Sequence, residues 1–404
     1  MTIHKPQQRA DVAEIITQAS ADGTALAIVG AGSKLGLGRH APCADQLDMS
    51  GFAGGLDYQP SELVLSAGAG TPLAQIEALL AENRQMLAFE PPDWSGLLGA
   101  GGSGTLGGVI ATNIAGPRRV KSGAPRDHFL GFHGVNGRGD MFKAGGRVVK
   151  NVTGYDLAKI QAGAFGTLAV LTDITLKVVP APETSVTLVL RGEDEQAAFA
   201  SMTRALNSPH EVSGAAFLPA AAAARAGGFG GDATSVTLLR LEGHGPSVAF
   251  RAGALASMLA GGDVLPEAAS LALWREIACV QPLLQRTDSL VWKLNPQPSR
   301  AASVLAEVQA RLPVTSCFMD WGGGLLWIEL DPAVPDAGAG VMREALARAG
   351  GHAMLVRASE ALRAQVPVFA PLEAGLARLT ARIKAAYDPA DVLNCGRMYP
   401  PVVS

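Results

Sequence analysis

Glycine is the residue that most constrains how this chain can fold. The sequence has 48 glycines among 404 residues, about 12% against the ~7% typical of globular proteins. They stand in clusters without a fixed period, which excludes collagen-like and low-complexity chains. Glycine adopts positive φ without strain and lets another group approach the bare backbone. The clusters therefore predict loops in which the backbone contacts a ligand or a neighbouring segment.

The first cluster, GAGSKLGLG at residues 30–38, follows a predicted helix at residues 8–20 and an apolar strand, Ala25–Val29. Its spacing, GxGxxxG, differs from the GxGxxG of a Rossmann fold, and Pro42 leaves no room for the helix that would receive pyrophosphate. Consecutive loop amides can instead converge on one anion, so we interpret the cluster as a phosphate cradle. A plain turn is the alternative if this loop is taken alone. The cradle would consist of Gly30, Ala31, Gly32, Ser33 and Lys34, with a positive charge from Lys34.

Two more clusters follow within the first 170 residues. The second, residues 96–116, combines hydrogen-bond donors with short side chains, as the flat isoalloxazine ring of a flavin requires. Its expected contacts are Gly102, Ser103, Thr105, Gly107, Gly108, Ala111, Thr112 and Asn113. The third, residues 144–168, leads into a strand in which apolar residues alternate up to Val178. Three such loops in one region are difficult to explain as turns alone, and they favour a bound dinucleotide.

The remaining composition narrows the class of protein. A net charge of −3 argues against nucleic acid as a main partner, because binding to the phosphate backbone requires a basic face. The cysteines at positions 43, 279, 317 and 395 are too far apart in sequence for a zinc or iron–sulfur motif, and we expect them to be reduced. The sequence shows neither a signal peptide nor a run of about 18 apolar residues. These features predict a cytoplasmic protein.

The order of predicted elements indicates an α+β protein with three parts. Pro180-Ala-Pro182 interrupts the pattern after the third cluster and marks a boundary between a first domain, residues 1–180, and a second, residues 181–374. In the second domain, strand-like runs alternate with alanine-rich helices. The last part, residues 375–404, opens with an amphipathic helix, Leu376–Ala386.

Several motifs resemble one protein family. They are IVGAGSKLGLG, GTLGGVIATNIAGPRR, GGRVVKNVTGYDLAKI, GAFGTLAVLTDITLKVVP and the DP..LN.GRMY pattern of the tail. The region is similar to the FAD-binding domain of the vanillyl-alcohol oxidase/p-cresol methylhydroxylase (PCMH-type) family. LVWKLNPQPSRA, DWGGGLLW and GGHAMLVRAS extend the resemblance over almost the whole chain and point to the subunit-E type of FAD-binding subunit in glycolate oxidases. GPRR and KNVTGYDL are the most specific of these strings.

The resemblance implies a two-part PCMH-type FAD-binding domain, a cap domain with an antiparallel sheet and helices, and a tail that returns to the FAD domain. Pyrophosphate would lie on the first glycine loop and the flavin along the second. The strand that begins with Gly166, Thr167 and Val170 would pass near the adenine and ribose. Asn394 would return to the pyrimidine edge of the flavin, although Cys395 replaces the proline that the family usually has beside it. Since no histidine is placed for a covalent link, we expect FAD to be bound non-covalently.

The function that the resemblance implies is oxidation of glycolate to glyoxylate by a hetero-oligomeric complex of glyoxylate metabolism. N5 of FAD would accept the hydride, and electrons would pass on through a larger FAD-binding subunit and an iron–sulfur subunit. Contact with the inner membrane would be peripheral and made through these partners. Two alternatives stay open, namely a non-catalytic scaffold subunit and a stand-alone FAD-linked dehydrogenase for D-lactate or another D-2-hydroxy acid.

Oxidation of a 2-hydroxy acid requires a cation for the carboxylate and a base for the hydroxyl proton. Arg118 and Arg119, directly after the second cluster, are candidates for a guanidinium pair, with a surface or interface pair as the alternative. His352 is a candidate substrate-side group, against a purely structural histidine. The HxGDGNxH-like string with which catalytic relatives hold a divalent metal is absent. We therefore expect no bound metal, and little activity from this subunit alone.

Overall fold

The structure is a computed structural model that describes residues 1–147, 155–229 and 234–400. Residues 150–154, in the KNVTGYDL motif, lie outside the described residues. Contacts within the chain divide it into two compact units. Unit 1 comprises Met1–Ile114, Ala124–Ala181 and Pro371–Ser404, and unit 2 comprises Ala115–Gly123 and Pro182–Ala370.

Unit 1 is built on two main sheets. Its strands in chain order are β1 (Ile3–His4), β2 (Leu26–Val29), β3 (Asp45–Asp48), β4 (Asp57–Gln59), β5 (Val64–Gly68), β6 (Gln85–Met86), β7 (Phe129–Asn136), β8 (Met141–Gly145), β9 (Ala169–Lys177) and β10 (Val179–Pro180). A parallel sheet has the order β1-β3-β2, and an antiparallel sheet has the order β4-β5-β9-β7-β8. Strands β6 and β10 form a separate short antiparallel pair.

Unit 2 is built on one eight-stranded antiparallel sheet. Its strands are β11 (Thr184–Arg191), β12 (Gly214–Leu218), β13 (Val236–Gly243), β14 (Asp263–Leu265), β15 (Leu290–Pro296), β16 (Val314–Asp320), β17 (Leu325–Leu330) and β18 (Gly351–Arg357). Their spatial order is β14-β11-β13-β12-β16-β17-β15-β18. The antiparallel sheet and its helices confirm the predicted α+β class.

Helices pack on these sheets in both units. The α-helices are α1 (Arg9–Asp22), α2 (Leu73–Glu82), α3 (Ser95–Leu98), α4 (Leu106–Thr112), α5 (Arg119–Ser122), α6 (Pro125–His128), α7 (Leu157–Gln161), α8 (Glu195–Leu206), α9 (Ala220–Ala223), α10 (Gly245–Met258), α11 (Glu267–Ala278), α12 (Ala301–Arg311), α13 (Ala339–Ala349), α14 (Glu360–Gln365) and α15 (Ala374–Tyr387). Short 3₁₀ helices occupy Met49–Phe52, Pro60–Glu62, Gln281–Leu283, Pro298–Arg300, Trp321–Gly323 and Pro335–Gly338. No helix in the described part of the chain is both long and apolar enough to cross a membrane.

The first helix shows how local sequence determines an element. Val12, Ile16 and Ala19 form its buried stripe at helical spacing. The carboxylate of Asp11 accepts hydrogen bonds from two backbone amides before the helix, and the chain leaves the helix at Gly23 with φ of 66°. The predicted helix and the strand after it are both confirmed as α1 and β2, so the first glycine cluster begins where β2 ends.

The start of α2 differs from the prediction. The sequence predicts Thr71 as the N-cap and Pro72 as the first helical residue, but the helix begins at Leu73. The Thr71 hydroxyl bonds instead to Gly54, accepting from its amide at 2.9 Å and donating to its carbonyl at 3.2 Å. Thr71 therefore joins two loops, which a local capping rule cannot foresee. The buried face of α2 is the predicted one, with Leu73, Ile76 and Leu80.

One face of the unit 2 sheet carries the main core. Trp292 and Leu294 of β15 and Leu355 of β18 belong to that core, together with side chains of α8, α10, α12 and α13. Because side chains alternate along a strand, Lys293 lies on the opposite face. Residue 352 of β18 is paired with Asn295 of β15, so the His352 side chain shares that face with Lys293.

Candidate functional site

Unit 1 contains an open cavity with an empty volume of about 880 Å³. The ends of β2 and β9, the helix α4 and the C-terminal tail surround it. Its wall includes twelve residues that the sequence predicts as cofactor contacts: Gly30, Ala31, Gly32, Ser33, Lys34, Thr105, Gly107, Gly108, Ala111, Thr112, Gly166 and Asn394. The three glycine clusters, far apart in sequence, therefore meet at one cavity.

The first glycine loop presents free donors to this cavity. The amides of Ala31, Gly32, Ser33 and Lys34 donate no hydrogen bond to any other described residue. Gly32 has φ of 73°, which turns the chain so that neighbouring amides can converge. Burial lowers the pKa of Lys34, opposed by the charge of Asp93, and within the described part of the chain the Lys34 ammonium has only the Ser33 hydroxyl as a partner, at 3.4 Å. Four donors and one cation fit a pyrophosphate group.

Glycine is required where the loops touch. A Cβ atom on Gly30 would lie 2.5 Å from Oγ1 of Thr105, and one on Gly104 would collide with Nζ of Lys34. On Gly166, a Cβ would lie 2.8 Å from Nδ2 of Asn394. The absence of side chains at these positions brings the three loops and the tail close enough to form one wall.

The C-terminal tail is fastened to the loops by Asn394. Its amide donates to the carbonyl of Leu26, and its side-chain oxygen accepts from the amide of Ile28 at 2.9 Å. Its Nδ2 donates to the carbonyl of Phe165 at 2.7 Å. Asn394 thus joins β2 to the third glycine loop, even though Cys395 replaces the usual proline of the family. At 7% exposure it lies in the cavity wall as a buried structural link.

Two further groups secure the tail. Nη2 of Arg397 donates to the carbonyls of Lys34 and Leu35, at 2.7 and 3.2 Å, and so links the tail to the first glycine loop. Asp388, almost fully buried, accepts from the amides of Val392 and Leu393 at 3.1 and 2.8 Å. Residues near the C-terminus therefore shape the loop near the N-terminus.

Gln161 is a wall residue that the sequence interpretation missed. It is 3% exposed, and among the described residues its Nε2 makes no hydrogen bond of normal geometry, although the Tyr387 phenol lies close enough for Gln161 to oppose the rise that burial causes in the pKa of Tyr387. A buried donor without a well-aligned partner is costly, so Gln161 can serve a ligand acceptor in the cavity. The signal in the sequence is its place two residues before Gly163, at the start of the third loop. Together with the unpartnered amides, Gln161 makes the cavity fit FAD.

Five predicted contacts lie outside the cavity wall: Gly102, Ser103, Asn113, Thr167 and Val170. Val170, in β9, is fully buried in the hydrophobic core, and the Thr167 hydroxyl donates to the carbonyl of Ala164. The Asn113 side chain accepts from the amide of Arg126 and ends α4 in a left-handed conformation. Position in a motif predicted these residues, but the direction of each side chain depends on contacts made after folding.

The two candidate arginines have different roles in unit 2. Arg118 is buried and forms a two-pronged ion pair with Glu242 of β13. Burial raises the pKa of Glu242, but the charges of Arg240 and Arg118 outweigh it and hold that pKa below its usual value. The expected guanidinium pair therefore does not form, because Arg118 anchors the segment Ala115–Gly123 to the sheet.

The guanidinium group of Arg119 instead lies over the ring of Trp321, and the ammonium group of Lys293 lies over the same ring. Burial and the charge of Arg119 lower the pKa of Lys293 to about 8. Burial, then the charges of Lys293 and Arg119, lower the pKa of His352. The predicted residues Arg119 and His352 are thus brought together, and Lys293 and Trp321 join them. Within the described residues, no three His, Cys, Asp or Glu side chains are grouped so that they could hold a metal ion.

Comparisons with known proteins agree with an FAD site in this cavity. A family profile described as "FAD binding domain" matches residues 2–145. The glycolate oxidase subunit GlcE of Escherichia coli (strain K12) is 34% identical over 387 residues, 96% of each chain. The glycolate oxidase subunit GlcD of Bacillus subtilis (strain 168) is 40% identical over 27% of this chain and 23% of that protein. A D-lactate dehydrogenase of Anaerostipes hadrus is 38% identical over 24% of this chain and 21% of that protein.

Among solved structures, an alkyldihydroxyacetonephosphate synthase has a TM-score of 0.68 at 14% identity, covering 97% of this chain and 75% of that chain. At this identity the match concerns the fold alone. The similarity to GlcE shows the family as well as the fold, because it extends at 34% identity across both units and the tail. The chain belongs to the family of FAD-binding proteins that includes the glycolate oxidase subunit GlcE.

Proposed function

We propose that this chain is the FAD-binding subunit of a complex that oxidises glycolate to glyoxylate. The observation that carries the proposal is the cavity wall, in which four unpartnered amides, Lys34 and the buried Gln161 face one open space. A second support is the likeness to GlcE over 96% of the chain. FAD, when bound, supplies the acceptor for the hydride that leaves the substrate carbon.

The residues of the chain hold the cofactor and leave the redox chemistry to it. The first glycine loop and Lys34 would bind the pyrophosphate, since loop amides and an ammonium group balance its charge at short range. Thr105 and Gln161 would supply side-chain donors to the rest of the molecule, and the Thr112 hydroxyl, which donates to the carbonyl of Gly108, would offer an acceptor. These contacts are all non-covalent.

The partners form part of the same proposal. Two relatives, GlcE and GlcD, are named as subunits of glycolate oxidase, which supports a multi-subunit complex. Within it, a larger FAD-binding subunit and an iron–sulfur subunit would carry electrons onward, because the described residues of this chain include no group of three His, Cys, Asp or Glu side chains that could hold a metal ion. The cytoplasmic location, and the peripheral membrane contact through partners, belong to this proposal as well.

The two alternatives make different demands on the chain. A stand-alone D-lactate-type dehydrogenase is less favoured, because the matches to two D-lactate dehydrogenases cover 24% and 39% of this chain whereas the match to GlcE covers 96%. A scaffold subunit without a redox role would have no need of the free amides and the buried donor in the cavity.

The test is dye-linked glycolate oxidation by the purified chain, first alone and then with the larger flavoprotein subunit added. We expect FAD to be present and turnover to be negligible until the partner is added. Turnover by the chain alone at the rate of the whole complex would contradict the proposal and favour a self-sufficient dehydrogenase. Absence of flavin from the folded chain would favour the scaffold.

A further inference from the structure

Four side chains of unit 2 form a second polar site, separate from the FAD cavity in sequence and composition. Cζ of Arg119 lies 4.8 Å and Nζ of Lys293 lies 5.1 Å from the centre of the Trp321 ring. Trp321 is fixed in place because its Nε1 donates to the carbonyl of Gly116 at 3.1 Å, in the segment that carries Arg119. The His352 side chain lies on the same face of the sheet as Lys293, and the positive charges of Lys293 and Arg119 help to lower its pKa.

This arrangement is costly without a ligand. Neither Lys293 nor His352 has an acidic partner at ion-pair distance among the described residues. Contact with the π face of one indole stabilises a cation only in part, and like charges close together repel. Elsewhere in unit 2, Arg118 and Arg357 have the acidic partners Glu242 and Glu329, and Arg251 donates to the carbonyls of His210 and Glu242. Among the described residues, the ammonium group of Lys293 has no such acceptor and contacts only the Trp321 ring.

The backbone conformation of Trp321 is an independent indication of a ligand site. Trp321 has φ of 53°, a left-handed conformation that bulky residues rarely adopt. Asp320 supports it by accepting from the Trp321 amide at 2.7 Å. Strain of this kind persists where the surroundings impose it, and it is common at ligand sites.

We propose that Arg119, Lys293 and His352, arranged about Trp321, form an anion site that binds the carboxylate of a small hydroxy acid. A guanidinium group binds both oxygens of a carboxylate in its plane, and the ammonium of Lys293 adds a point charge. The imidazole of His352 offers a hydrogen-bond partner for the hydroxyl group, and the indole provides an apolar floor that suits a short carbon chain. This inference rests on the proposed function, which it extends by naming the residues that bind the substrate.

Arg118 and Glu242 act as positioning residues for this site. Their buried ion pair holds the segment that carries Arg119 against β13. Arg251 strengthens the anchor, since its Nη2 donates to the carbonyl of Glu242 at 2.7 Å. Arg118 therefore fixes the backbone of this segment, and Arg119 faces the ligand.

The experiment is calorimetric titration of the full-length, FAD-loaded, oxidised chain at pH 7 with three probes: glycolate, its neutral analogue glycolamide, and inorganic phosphate. The variants are Lys293→Met and Arg119→Met, with Lys143→Met as control because Lys143 is exposed on β8 of unit 1. Flavin content and melting temperature are recorded for every preparation.

We expect glycolate to bind the wild type and the control alike, and to bind each of the two site variants at least tenfold more weakly. Glycolamide should bind at least tenfold more weakly than glycolate, since it lacks the negative charge. Unchanged glycolate affinity in both site variants would overturn the proposal, as would absence of glycolate binding by the wild type or tighter binding of phosphate than of glycolate. Flavin content is read separately, so failure of this site is distinguishable from failure of the FAD assignment.

Discussion

Gly32 and Gly23 both have positive φ, 73° and 66°, but only Gly32 lies in the wall of the cavity. A side chain at either position carries similar backbone strain, of about 1 kcal/mol. At Gly32 it would also add bulk to the cavity wall, beside Leu35 at 3.5 Å. Substitutions at the two positions can therefore separate an effect on folding from an effect on cofactor binding.

We therefore predict that Gly32→Val sharply reduces FAD retention with modest loss of folded protein. The control is Gly23→Val, because a Cβ at Gly23 meets nothing within 4 Å. Flavin absorbance per folded chain measures the difference. Equal flavin content in the two folded variants would contradict the assignment of the pyrophosphate cradle.

Lys293 provides the second prediction at this scale. Its pKa in the folded chain is about 8, below the 10.5 of an exposed lysine, because burial and the charge of Arg119 disfavour the protonated form. The protonated form of Lys293 therefore destabilises the folded chain, and this destabilisation is complete below about pH 8. The cost disappears as the pH rises towards 10.5, where the unfolded chain also becomes neutral.

Lys293→Met should accordingly raise the free energy of unfolding at pH 7 by about 1–3 kcal/mol, and by much less at pH 10. Urea denaturation at both pH values measures it, with Lys143→Met as the exposed control. A loss of stability at pH 7, or a gain that is the same at both pH values, would show that the charge of Lys293 costs nothing in the fold. Stability gained at the expense of ligand binding is expected of a functional site.

At the scale of elements, glycine loops were predictable and their partners were not. The loops are local motifs, so their conformational demands are visible in the sequence. Lys293 and Trp321 have no such local signal, and Gln161 has only its place beside Gly163, because what matters is the residue that the sheet or the tail places beside them. The same reason explains Thr71, whose hydroxyl bonds across to Gly54 and leaves α2 uncapped.

The segment Ala115–Gly123 is the clearest element of this kind. Its sequence follows the second glycine cluster directly, yet it belongs to unit 2. We predict that Arg118→Met lowers the free energy of unfolding by about 3 kcal/mol, since it leaves Glu242 buried with a weaker partner. Arg119→Met should change stability by less than about 1 kcal/mol. Urea denaturation of the two variants tests this, and equal losses would contradict the division between an anchoring and a ligand-facing arginine.

The C-terminal tail is the other element whose role depends on distant contacts. Asn394→Ala removes the links to Ile28 and Phe165, and truncation after Asp388 also removes Arg397 from the first loop. We predict that both changes weaken FAD affinity, the truncation more strongly. Arg378→Ala, an exposed change in α15, is the control. Fluorescence titration with FAD measures the affinities, and unchanged values in both variants would show that the tail does not support the site.

For the whole molecule, the sequence indicated the class, the cofactor region and the return of the tail. It could not indicate the strand order of the unit 2 sheet, in which β16 lies between β12 and β17. Strands that pair across long stretches of sequence are chosen by packing of the complete core, which no local pattern encodes. The division into units has breaks between Ala181 and Pro182 and between Ala370 and Pro371, and it assigns Ala115–Gly123 to unit 2.

The central claim for the molecule is that unit 1 binds FAD non-covalently in the glycine-lined cavity. The most direct measurement is the flavin released from purified, folded chain by acid precipitation, identified by chromatography and counted per chain. The account predicts about one FAD per chain, all of it in the supernatant, because loop amides and side-chain donors hold it without a covalent bond. A folded chain that yields no flavin, and takes up none when FAD is added, would contradict the account.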